Sequence, residues 1–141
     1  MIKMTIPIEP VGQLRPRATR CGRSIRMYDP PKVAKFKKQL HEYAALEMKR
    51  QKLKRFENVA LEVDLQIYRQ VQNSISNAER CRRLSGVHRP TVKFDLDNYI
   101  KSILDGLNGV IWNDDKNIVS IVADKHYSDK QRIEIKVCEW R

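Results

Sequence analysis

The chain has 141 residues, 41% hydrophobic and 32% charged, which suits one globular domain over 1–141 and excludes a disordered or low-complexity polymer. Lys and Arg number 28 against 17 Asp and Glu, a formal net charge of +11, so the expected partner is a polyanion whose neutralised phosphates release counterions. No apolar run is long enough for a transmembrane helix and the N-terminus lacks the pattern of a signal peptide, so a cytoplasmic protein with no membrane partner is expected.

Met1 to Ile8 alternates as a first strand. Breakers and arginines follow, in Glu9-Pro10-Val11-Gly12 and then Arg15-Pro16-Arg17-Ala18-Thr19-Arg20-Cys21-Gly22-Arg23, with Ser24 to Tyr28 as a short strand. Asp29-Pro30-Pro31 opens a helix, the aspartate as its cap and the prolines in the first turn, where no N–H is needed. Val33, Phe36, Leu40, Tyr43 and Ala44 recur near helical spacing and carry this helix to about Lys52, with Lys35, Lys37 and Lys38 on its solvated face. Residues 59–68 alternate with period two, the mark of a half-buried strand.

From Gln70 to Pro90 that pattern breaks. Asn73, Ser74, Ser76, Asn77 and Ser85-Gly86 give loop chemistry, while Arg80, Arg82, Arg83, His88 and Arg89 supply charge, so a mobile basic loop holding one helical turn is expected. Asp97 to Val110 is a second clear helix and Asn113 to Asn117 a turn. Ile118 to Tyr127 and Arg132 to Trp140 then alternate as two strands, joined as a hairpin around Ser128-Asp129-Lys130-Gln131. This order fits a small α+β domain, a mixed sheet with two main helices packed on it.

Cys21, Cys81 and Cys138 are widely separated, and His41, His88 and His126 show no zinc-binding spacing, which argues against a disulfide framework or a zinc site. No G-x-x-x-x-G-K-[ST] or G-x-G-x-x-G occurs, so a nucleotide-binding phosphoryl-transfer enzyme and an organic cofactor are not expected.

The sign of the charge reverses between Phe94 and Asp115, which hold Asp95, Asp97, Asp105, Asp114 and Asp115 with Lys101 as the only basic residue. Carboxylates within a basic protein oppose phosphate binding unless a divalent cation, held by hard oxygen ligands, bridges the two. In an extended conformation Asp95 and Asp97 leave from one face, and Asp97 stands where an N-cap belongs. Asp97, Lys101, Asp105 and Asn108 then form a polar stripe beside the apolar stripe of Ile100, Ile103, Leu104, Leu107 and Ile111. Phosphodiester hydrolysis is the chemistry such a group suits, with Lys101 neutralising charge at the scissile phosphate. The residues also admit a plainer reading: Asp97 as a helix cap, Lys101 as its i+4 ion-pair partner and Asp114-Asp115 as turn residues.

The run Asp95-Leu96-Asp97-Asn98-Tyr99-Ile100-Lys101, continued by Leu104-Asp105-Gly106-Leu107 and by Asp114-Asp115, resembles the RusA family of Holliday-junction resolvases. Its hallmark is D-L-D-N-x-x-K, then D-x-L and a D-D pair, and the resemblance covers nearly the whole chain. Arg15-Pro16-Arg17 and Tyr28-Asp29-Pro30 look like the phage and prophage branch, although Phe94 stands where that branch usually has proline. The resemblance implies that Asp95, Asp97 and Asp115 ligate magnesium, for which manganese can substitute, with Asp114 auxiliary and Lys101 catalytic. It further implies a homodimer that places paired nicks in a four-way DNA junction, in recombination and repair; two-fold symmetry of protein and substrate would match. Arg15, Arg17, Arg20, Arg23, Arg80, Arg82, Arg83 and Arg89 are the expected contacts to backbone phosphates. The competing expectation is a basic branched-DNA-binding protein that keeps the fold without catalysis.

Overall fold

The computed structural model describes residues 1–141. Its elements are β1 (Ile2–Ile6), β2 (Arg17–Cys21), β3 (Ser24–Tyr28), α1 (Pro31–Arg50), β4 (Leu61–Gln70), α2 (Asn77–Ser85), α3 (Leu96–Leu107), a 3-10 turn over Asp115–Asn117, β5 (Ile118–Ser128) and β6 (Arg132–Glu139). Four strands form one mixed sheet in the order β1-β6-β4-β5, while β2 and β3 form a separate two-stranded ribbon. The α+β class stands, with three helices, of which α1 and α3 pack against each other over the core. No helix is long and apolar enough to cross a membrane.

β5 and β6 do not form the expected hairpin. β4 lies between them, parallel to β5 and antiparallel to β6, so that Val63 stands opposite both Ile121 and Val137. The cause lies in β4, whose Leu61, Val63, Leu65 and Ile67 are all buried and alternate without interruption. The strand with the most complete apolar face takes the centre, where both of its edges are paired, and the half-exposed β5 is left at the rim. Asp129 to Gln131 step over the end of β4, where the Val71 N–H donates to the Ser128 carbonyl at 2.9 Å. Turn chemistry in the sequence does not say whether a strand is skipped.

Helix α1 buries Val33, Phe36, Leu40, Ala44 and Met48 along one stripe. Pro30 occupies its N-cap position and no side chain caps it. Asp29, the expected cap, instead accepts from Lys37 Nζ at 2.7 Å and Gln13 Nε2 at 3.0 Å, and the charged donor makes the stronger bond. The helix stops at Arg50 because Lys52 takes a left-handed φ of 55° and Leu53 N–H reaches back to the Met48 carbonyl, a C-terminal closing motif.

The expected basic loop before the acidic stretch contains a nine-residue helix, α2. It buries no side chain, so it has no apolar periodicity to read. Its termini were nevertheless written in the sequence: Ser76 Oγ accepts from the Glu79 N–H at 3.2 Å, and Gly86 closes the far end at φ 86°. Likewise, Arg17 to Cys21, grouped with the breakers by composition, is strand β2.

Candidate active site

Helix α3 begins at Leu96 and ends at Leu107, so Asp95, not Asp97, is its N-cap residue, and Asp97 lies inside the first turn. The extended geometry expected for the pair therefore does not occur, although both carboxylates remain exposed at the positive end of the helix dipole. Tyr99, Ser102, Ile103, Gly106 and Leu107 are buried, which turns Asp97 and Lys101 to solvent. The acidic stretch thus rides on a helix fixed in the core.

Two close contacts hold α3 in place. At Gly106 an added Cβ would stand 2.8 Å from Leu40 Cδ2, so the glycine sets how near α1 lies. At the N-terminal end, residues 11–13 act as a clamp. Ser102 Oγ donates to the Val11 carbonyl at 2.6 Å and Gln13 N–H to the Asn98 carbonyl at 2.9 Å. Gly12 lies so close to Phe94 that a Cβ would come within 2.5 Å of it. Since Phe94 immediately precedes Asp95, this contact sets the path by which the chain enters the helix.

The C-terminal end is built differently. Ile111 and Trp112 are completely buried, and Asn113 N–H donates to the Phe56 carbonyl at 3.1 Å while its side-chain amide donates to Asn58 Oδ1 at 2.8 Å. This staple carries Asp114 and Asp115 back to the helix, where the Asp115 N–H donates to Asn108 Oδ1 at 3.1 Å. Burial, then a hydrogen bond and the charge of Asp114, and the charge of Asp105, push the Asp115 carboxyl above its ordinary value. The Lys116 backbone N–H, bonded to Asp114 Oδ1 at 3.0 Å, holds Asp114 below it. The two carboxyls behave as a coupled pair in which Asp115 keeps the proton longer.

Between the two ends, Asp105 Oδ2 lies 3.2 Å from Lys37 Nζ and 3.8 Å from Lys101 Nζ. Lys37 also bonds Asp29, whose carboxyl, against the opposing effect of burial, is held low by Lys37 and Gln13. Lys37 was grouped by sequence with the solvated lysines of α1, yet its side chain is only 19% exposed and it bridges α1 to α3. Helix spacing sets it apart from Lys35 and Lys38, for it stands four residues after Val33 and three before Leu40, within the buried stripe. Trp112, the anchor of the Asp114-Asp115 turn, was also missed, although a lone aromatic between a helix and a turn is a readable signal.

The carboxylates divide into two groups. Asp95 and Asp97 lie at the start of α3, Asp105 lies in its last turn, and Asp114 and Asp115 lie in the turn that folds back on Asn108. Their oxygen donors suit a hard divalent cation. Within the single chain, however, no three His, Cys, Asp or Glu side chains gather as a metal-holding group.

The expected phosphate contacts also divide. Arg15, Arg17, Arg20 and Arg23 are exposed on and before the β2–β3 ribbon, and none forms an ion pair with a carboxylate. Arg82 and Arg83 pair with Glu79 on α2, and Arg83 also lies over the Tyr127 ring. Arg89 donates to the Lys125 carbonyl and lies 2.9 Å from His126 Nδ1. Arg80 forms no ion pair on α2.

A family model described as endodeoxyribonuclease RusA matches residues 7–138. The uncharacterized protein YqaN of Bacillus subtilis (strain 168) is 34% identical over 140 residues, which cover 98% of this chain and 96% of that protein. The matched span takes in both ends of α3, its N-terminal clamp and the Asp114-Asp115 turn, and on this ground the chain belongs to the RusA family of endodeoxyribonucleases.

Proposed function

We propose that the protein is a magnesium-dependent endonuclease that resolves four-way DNA junctions by paired nicks in recombination and repair, working as a homodimer. The observation that carries this reading is the alignment of five aspartates and Lys101 on and around one core-anchored helix, in a basic chain of the RusA family. A binding protein has no use for carboxylates there, because they repel the phosphate backbone.

The division of the carboxylates bears on the dimer. No three acidic side chains gather within one chain, so a site made of Asp95, Asp97 and Asp115 would be completed where the Asp95–Asp97 end of one protomer meets the Asp115 turn of a second copy. A two-fold axis would then create two equal sites, one for each nick. Asp95, Asp97 and Asp115 would hold the ion, with Asp114 as an auxiliary oxygen donor. Bound there, magnesium, or manganese in its stead, would supply Lewis-acid chemistry for hydrolysis of the phosphodiester. Lys101, exposed one turn past Asp97, would lie against the scissile phosphate and offset the charge that develops there. Asp105, flanked by Lys37 and Lys101, restrains the lysine from the helix side.

Cleavage of a synthetic four-way junction in magnesium tests the reading, with the wild type cutting and Asp95→Asn and Asp115→Asn retaining binding but not cutting. Mixing these two inactive proteins tests the shared site, since heterodimers then carry one site with both lesions and one intact site. Recovery of nicking supports sharing; no recovery, with exchange of subunits demonstrated, refutes it. Tight binding by the wild type without cleavage in magnesium or manganese would instead favour a non-catalytic junction-binding protein.

A further inference from the structure

The β2–β3 ribbon is the part of the molecule that packs on nothing. All ten strand residues are exposed, and a two-stranded ribbon that buries neither face has little stability of its own. Its strand register sorts the side chains cleanly: Arg20 opposes Ile25 and Ala18 opposes Met27 on one face, while Arg17 opposes Tyr28 and Thr19 opposes Arg26 on the other. The first face sets two open apolar side chains, Ile25 at 72% and Met27 at 60% exposure, beside Arg20. Large apolar side chains grouped in this way on a surface mark a contact. Residues 15–28 contain five arginines and no carboxylate, so the partner is a polyanion rather than a second copy of this basic chain.

The root of the ribbon is rigid. Gln13 Nε2 donates to Asp29 Oδ1 across the two legs, Lys37 holds the other oxygen of Asp29, and the Gln13 backbone is bonded to Asn98 in the first turn of α3. The ribbon therefore stands on the same corner that carries Asp95 and Asp97. Five strand residues reach about 17 Å, or about five nucleotides of one strand at 3.4 Å each.

We propose that the β2–β3 ribbon is a finger that enters the open centre of branched DNA, with Ile25 and Met27 against unstacked base faces and Arg17, Arg20 and Arg26 along the flanking phosphates. Intact duplex offers hydrated phosphates and paired base edges, against which Ile25 and Met27 gain little. A branch point exposes base faces, and apolar side chains inserted between bases stabilise such distortion. The finger would thus supply selectivity for branches, while the arginines add affinity for any DNA. This rests on the reading of the protein as a junction endonuclease, and the test separates the two.

Binding of the full chain to a four-way junction and to a linear duplex of the same sequence is measured by fluorescence anisotropy in EDTA, with 2-aminopurine beside the branch in a parallel set. Ile25→Ser/Met27→Ser is expected to lose about tenfold in junction affinity, or about 1.4 kcal/mol, with duplex affinity and Tm unchanged and the 2-aminopurine rise abolished. Arg17→Gln/Arg26→Gln should weaken both substrates and lower the salt slope by about two. Unchanged junction preference and fluorescence in the apolar variant overturn the finger while leaving the endonuclease reading intact. Conversion of a dimer to a monomer by that variant also overturns it, since the face would then be covered by a second copy. A wild type that neither prefers nor cuts junctions overturns the functional reading, and the finger with it.

Discussion

Helices α2 and α3 are neighbours in sequence and opposites in construction. α3 buries five residues, is clamped at its start by residues 11–13 and approaches α1 through a glycine, and its exposed face carries Asp97, Lys101 and Asp105. α2 buries none; its order comes from a serine cap, a glycine stop and the ionic grip of Glu79 on Arg82, Arg83 and His88. A helix fixed on three sides holds charged groups to the tolerance that bond cleavage requires. A helix held by its own ends, surface charges and the contact of Arg83 with the Tyr127 ring adapts, which suits contact with phosphates at variable positions. Damage to α3 should therefore show in catalysis and global stability, and damage to α2 in local order.

The largest effect should follow from Lys101→Met. The side chain is 64% exposed and its one ion pair, with Asp105, is long at 3.8 Å, so its loss should leave Tm nearly unchanged. Junction cleavage should fall by about a thousandfold, the scale of removing one group that stabilises transition-state charge. Single-turnover rates at saturating enzyme check this, and a loss confined to binding would assign Lys101 to docking. Next comes Gly12→Ala. The new Cβ would meet Phe94 Cβ and Cγ at 2.5 Å, near the backbone and unable to swing aside. A cost of about 3 kcal/mol, or about 10 °C in Tm, is expected, with cleavage reduced beyond the loss of folded protein because the approach to Asp95 shifts. Gly106→Ala should cost less, about 1 kcal/mol, because the clash is with a terminal methyl of Leu40 and alanine favours the helix. Thermal unfolding ranks the two, and equal losses would show that the N-terminal clamp is softer than its packing suggests.

The same contrast explains what the sequence made legible. α3 could be read to within a few residues because its burial imposes a 3.6-residue apolar stripe, and the charge reversal over Asp95 to Asp115 stood out from a basic chain. α2 and the β2–β3 ribbon bury nothing, so periodicity was silent, and only local chemistry such as Ser76-x-x-Glu79 and Gly22 marked them. The position of β4 between β5 and β6 depends on competition among strands for the centre of the sheet, which no local pattern encodes. The placing of Asp115 relative to Asp95 and Asp97 depends on the turn after α3, which buried Trp112 and the bonds of Asn113 fold back onto Asn108, and neither helix length nor the family pattern encodes it. The spacing of Lys37 from Val33 and Leu40 puts it on the buried stripe of α1, but its partners Asp29 and Asp105 depend on how α1 packs on α3, which no local pattern encodes.

The smallest effects should belong to α2. Ser76→Ala removes the acceptor for the Glu79 N–H and should destabilise the helix by about 1 kcal/mol, seen as faster amide exchange in residues 77–85 with global Tm unchanged. The Glu79 carboxyl provides the sharper test. Hydrogen bonds from His88, then Arg83 and Arg82, lower it from 4.5 to about 2. A carboxyl lowered by folding stabilises the folded form above its unfolded value and loses that effect as pH falls through the folded one. Amide protection in α2 should accordingly hold at pH values above 4.5 and fade as the pH drops toward 2, while α3, anchored by its buried apolar face, keeps its protection through the upper part of that range. Arg83→Gln should move the fade to higher pH, because one of the donors to Glu79 is gone. If α2 and α3 instead lost protection together at every pH, the two helices would form one cooperative unit, and the division between a rigid catalytic helix and an adaptable basic one would fall.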